Sequence, residues 1–98
     1  MPTDIAQLTA ADFEPRIEDS FLVPTPTGAV ELALVEVRRL GRAVREGGAF
    51  ALTFRSPPGP FLAQATYPLT HPALGALDLF LVPLGPKDGA NLYEAVFT

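Results

Sequence analysis

The sequence predicts an all-β fold: a small antiparallel β-sandwich or partly open β-barrel of about six strands, with one short N-terminal helix. Three observations carry this. From Phe21 onward apolar residues recur with period two, which places alternate side chains on opposite faces of a strand. Eleven prolines and eight glycines divide the 98-residue chain into short segments, because both residues interrupt helices. The segments follow one another at regular spacing through Gly/Pro turns, the pattern of consecutive hairpins.

Each element has a local reason. Thr9 precedes "AADF", so Asp12 stands three residues after a hydroxyl, a shortened relative of the capping box. Asp12 and Glu14 put negative charge in the first turn, where the helix dipole favours it. Pro15 ends the helix early. The expected span is Ala10–Phe13, with an extension to Ile17 as the alternative, and Leu8, Phe13 and Ile17 facing the core.

"SFLVPT" is a short strand that Pro24 and Pro26 confine to a sheet edge or end, since proline has no N–H for the ladder. "AVELALVEVRR" sets Val30, Leu32 and Leu34 on one face, then shifts phase so that Glu36 would fall on that face. A β-bulge at Leu34 to Glu36 re-phases the strand; burial on both faces is the competing account. "AFALTFR" alternates cleanly, with Phe50, Leu52 and Phe54 together, and "SPPGPF" after it is a loop. "ATYPLTH" gathers Tyr67, Leu69 and His71, with Pro68 again marking an edge. "ALDLFLV" reads as a strand covered on both sides, Leu77, Leu79 and Leu81 opposing Asp78, Phe80 and Val82. "PLGPKDGAN" reads as a turn, and "LYEAVF" closes the chain with Tyr93, Ala95 and Phe97 on a common face.

One domain over residues 1–98 is expected, an N-terminal segment to residue 20 carrying the helix and a β-domain from residue 21. Composition bounds the chemistry. A net charge of −4 opposes non-specific nucleic-acid binding, which needs an excess of Lys and Arg. The absence of cysteine excludes disulfides, thiolate catalysis, iron–sulfur clusters and most structural zinc sites. The acidic N-terminus lacks a continuous apolar region, so no secretory signal is expected. No run reaches the ~20 apolar residues that span a bilayer. The expectation is a soluble cytoplasmic protein that binds neither membrane nor nucleic acid and carries no cofactor or metal.

Four places invite a chemical reading. His71 is the single histidine; a catalytic histidine needs a nucleophile and an orienting acid, a metal site three or more ligands, and no hydroxyl here sits in a "GxSxG" context. It reads as a structural or surface residue, since the position before Pro72 is driven into extended geometry and ends a strand. Arg38, Arg39, Arg42 and Arg45 form a basic segment that could hold a carboxylate, a phosphate or an acidic partner surface. A solvated hairpin flanked by Glu36 and Glu46 is the plainer account. Asp78, an acid within an apolar strand, faces solvent at an edge, pairs with Arg55 or contacts a partner. "PKDGAN" lacks the acidic positions of a calcium loop, and Asp88–Gly89 is a turn signal.

The stretches "LTAADFEP", "EGGAFALTFRSP", "ATYPLTHPALGALDLFLVPLGP" and "YEAVF" together cover most of the chain. In them the sequence resembles a family of small bacterial proteins classed only as a domain of unknown function. The resemblance brings no catalytic residues. It implies a family whose members can be encoded near phage-tail-collar-like proteins, and so a structural or assembly role.

The leading expectation is therefore a non-enzymatic interaction or assembly module, in a phage-tail-like or secreted-particle system. It would bind a protein partner or itself through strand addition at an edge or through the Arg38 to Arg45 segment. The alternative is a small-ligand-binding β-barrel with Phe50, Phe54, Tyr67 and Phe80 around a pocket, and a small hydrolase using His71 and a carboxylate stands third.

Overall fold

Period-two alternation becomes strands wherever it occurs. In the computed structural model, which describes residues 8–26, 28–41, 49–57 and 61–97, the strands are β1 (Ser20–Thr25), β2 (Gly28–Gly41), β3 (Ala49–Ser56), β4 (Ala65–His71), β5 (Gly75–Lys87) and β6 (Ala90–Phe97). They form a single antiparallel sheet in the order β1-β2-β3-β6-β5-β4 that closes into a ring. Hairpins supply four of the contacts, and β3–β6 and β1–β4 supply the non-consecutive ones.

The seam between β1 and β4 is the weakest join. It rests on one backbone pair, Leu22 with Thr70, to which the Thr70 hydroxyl adds a long 3.5 Å bond to the Leu22 carbonyl. Continuing that antiparallel register by two residues brings Pro24 opposite Pro68. Two residues without an N–H cannot donate to a ladder, so the pairing stops there. The edge strands expected from these prolines are not edges: β1 and β4 each have two neighbours in the closed ring, and Pro24 and Pro68 fall on its under-bonded seam.

Helix α1 occupies Ala10–Phe13 and continues as a 3₁₀ turn over Glu14–Arg16. Asp12 Oδ2 accepts the Thr9 N–H at 2.8 Å, the return half of a capping box. Phe13 is fully buried and plugs one end of the ring, its ring 5.8 Å from Phe50, 5.7 Å from Phe97 and 6.5 Å from Phe21. Burying such a side chain is worth about 1.5–3 kcal/mol, enough to hold a one-turn helix that would not persist alone. Ile17, expected in the core, is instead exposed, because the 3₁₀ turn ends at Arg16 and redirects the chain.

Inside the ring stand Phe21, Val23, Leu32, Leu34, Phe50, Leu52, Phe54, Leu69, Leu77, Leu79, Leu81 and Tyr93, all buried. Near Tyr93, Leu62 is buried and donates its N–H to the Tyr93 hydroxyl at 2.9 Å. The phase shift in β2 is a bulge: the register with β3 slips between Leu34 and Glu36, leaving Val35 as the extra residue. A second slip lies further along β2, between Arg39 and Gly41, and a third in β5 between Pro83 and Gly85, where Leu84 is extra.

Two expectations for β5 are corrected. Asp78 and Phe80 are exposed, so only the Leu77–Leu79–Leu81 face is buried: one ring has one inside, and among the described residues no second layer covers the outer face of β5. Pro83–Lys87 belongs to the strand, and the turn shrinks to Asp88 and Gly89, whose φ angles of 51° and 77° make a tight two-residue hairpin.

Candidate functional site

His71 ends β4 with its side chain buried. Its Nδ1 accepts two backbone N–H groups, from Ala73 at 3.0 Å and Leu74 at 3.3 Å. An amide N–H can only donate, so Nδ1 is the bare nitrogen and Nε2 carries the proton. That proton points to Asp19 Oδ2, 2.8 Å away. The ring also lies 4.6 Å from the ring of Phe21. Asp19 is held in turn by its backbone, donating to the Arg16 carbonyl at 2.9 Å and accepting from the Leu34 N–H at 3.0 Å. Both imidazole nitrogens are thus occupied in shaping the β4–β5 turn and in tying it to the start of β1, beside the weak seam. Among the described residues no group of three or more His, Cys, Asp or Glu could hold a metal ion.

The basic segment divides. Arg38 pairs with Ala51, whereas Arg39 pairs with Phe50, and paired residues share a face, so the two arginines leave β2 on opposite sides. Arg39 reaches over the end of the ring to Glu14 in a two-pronged ion pair, 3.0 Å from Nε and 2.9 Å from Nη2. The hydrogen bonds to Glu14, then its charge, hold the guanidinium above its ordinary pKa. Arg38 Nη2 lies 3.3 Å from Glu94 Oε2 on the outer face. Arg42 and Arg45 lie outside the described residues. Asp78 faces solvent opposite Pro68, and β6 stands between its strand and that of Arg55, so they are not on neighbouring strands.

Over the outer face of β2, β3, β6 and β5 runs an open groove of about 550 Å³. Two of the bulged residues line it: Val35 from β2 and Leu84 from β5, with Leu92 of β6 between the strands. A bulge takes its strand out of phase, which brings these apolar side chains to the outer face. Around them stand Arg38, Arg55 and Lys87 together with Glu36, Asp88 and Glu94. Glu36 accepts the Thr53 hydroxyl at 3.4 Å and Glu94 is paired with Arg38. Arg55 has no ion pair with another described residue and is exposed. The sequence marks Val35 only as part of a bulge and Arg55 only as a neighbour for Asp78; nothing local to either reveals the groove that four strands build around them. Of the aromatic residues expected around an internal pocket, Phe50 and Phe54 point inward but Phe80 points out, so that lining is not assembled.

Fold and site together define a small β-ring whose inward side chains are buried, with a groove of mixed charge and apolar side chains on its outer face. The chain belongs to the DUF6916 family, a domain of unknown function, which matches residues 8–97. No curated protein and no solved structure matches it significantly. Among the described residues no helix is long and apolar enough to cross a membrane.

Proposed function

We propose that this domain is a non-enzymatic interaction or assembly module that contacts a protein partner through the outer face of β2, β3, β6 and β5. The groove carries the reading: two strand irregularities put Val35 and Leu84 beside an arginine, Arg55, that has no partner within the described residues. Apolar surface beside an uncommitted guanidinium is the composition of a protein contact. Strand addition is disfavoured, since the weakest seam presents Pro24 and Pro68 where donors would be needed. A phage-tail-like or secreted particle is the proposed setting, in keeping with the family likeness.

The test is binding to the products of neighbouring genes, measured with purified components. Leu84→Arg and Arg55→Glu are expected to weaken the complex at least tenfold with the melting temperature unchanged. A partner that binds both variants as well as the wild type overturns the assignment of this face.

A further inference from the structure

Resting on that contact face, we infer that the groove is filled by a second copy of this chain, docked face to face about a two-fold axis. The charge pattern points there. The chain carries a net charge of −4, yet the groove is lined by three cations, Arg38, Arg55 and Lys87, and three anions, Glu36, Asp88 and Glu94. Two copies repel one another on average over the rest of the surface, whereas here a like copy meets a neutral face of mixed sign. A simple anion is a poor alternative occupant, because three carboxylates surround the same space.

The axis that suits this lining runs along β6 at Leu92. Leu92 pairs with Arg55 on one side and with Gly85, next to Leu84, on the other. A two-fold axis lying in the interface and parallel to β6 at Leu92 exchanges these sides, so each copy's Arg55 faces the β5 side of the other, where Asp88 is the acid that lines the groove. Leu84, 51% exposed, then packs near the axis. Phe80, 51% exposed, and Val96, 49% exposed, extend the apolar surface on the same two strands.

Size sets the strength. Four strands about 4.8 Å apart and about seven residues long would offer roughly 400 Å² if laid flat, and the curvature of the closed ring makes the contact smaller. That falls in the small, transient class of interfaces, so the dimer has a micromolar or weaker dissociation constant.

Analytical ultracentrifugation of the full chain from micromolar to millimolar concentration tests this, with the melting temperature of each variant measured alongside. The wild type is expected to show a reversible monomer–dimer equilibrium, weakened at least tenfold by Leu84→Arg and by Arg55→Glu. Asp88→Lys alone should weaken it likewise, and mixing the Arg55→Glu and Asp88→Lys proteins should restore dimers as mixed pairs. A monomer at every concentration, a dimer indifferent to Leu84→Arg, or charge reversals that do not rescue one another overturn the inference. If a different protein still binds in a Leu84-dependent way, the interaction module stands without self-association; if that binding also ignores Leu84, both readings fall.

Discussion

His71 Nε2 and Asp19 Oδ2 stand 2.8 Å apart beside the seam at which the ring closes. With one backbone pair joining β1 to β4, this side-chain bond and the His71–Phe21 ring contact serve where a ladder would ordinarily do the work. His71→Ala would leave a buried space and orphan the Ala73 and Leu74 N–H groups. A loss of ~2–4 kcal/mol is expected in urea denaturation. Asp19, less buried, can be replaced by water, so Asp19→Ala should cost only about 1 kcal/mol. A double-mutant cycle with additive effects would refute a direct coupling.

Tyr93→Phe tests the interior of the ring. The Tyr93 hydroxyl accepts the buried Leu62 N–H at 2.9 Å. Removing it leaves a donor without water or partner, for an expected loss of about 1–3 kcal/mol. Amide hydrogen exchange at Leu62 should accelerate more than at residues of β3, and equal acceleration at both would argue for a global effect instead.

At the β5–β6 hairpin, Gly89 has φ of 77° and open space around the site of a Cβ. Gly89→Ala therefore meets no clash, and its cost is backbone strain alone, about 1–2 kcal/mol. Asp88→Asn, which tolerates the same left-handed region, should be close to neutral. Thermal melts of the two variants check this ordering.

The proline pair makes the seam experimentally adjustable. Pro24→Val or Pro68→Val restores one N–H across from a carbonyl that already exists, and each variant should show one newly protected amide in hydrogen exchange. Stability should change little, because a bond worth about 0.5–1.5 kcal/mol is offset by the ~0.4–1 kcal/mol that proline contributes by restricting the unfolded chain. Unprotected amides at both positions would mean that the seam is held open by something other than missing donors.

Much of this architecture is legible in the chain alone. The inward faces Phe50–Leu52–Phe54 and Tyr93–Ala95–Phe97, the bulge at Val35, helix α1 and the Asp88–Gly89 turn all follow from neighbours within a few residues. Strand period, capping and turn chemistry are local properties, and a linear reading reaches them.

Other features needed the closed ring. Whether Phe80 and Asp78 lie beneath a second layer depends on what packs above β5, which its own residues do not encode. Asp19 and His71 are 52 residues apart, and Arg55, Leu84 and Val35 come from three strands. Such meetings depend on which strand lies beside which, and that order is decided by the free energy of the whole ring. Composition and alternation by themselves determined that this protein is a small β-domain with one core and no cysteine chemistry. Only tertiary structure decided that its histidine bridges the β4–β5 turn and Asp19, and that Val35, Arg55 and Leu84 share one outer groove, because pairing across the ring depends on every strand at once.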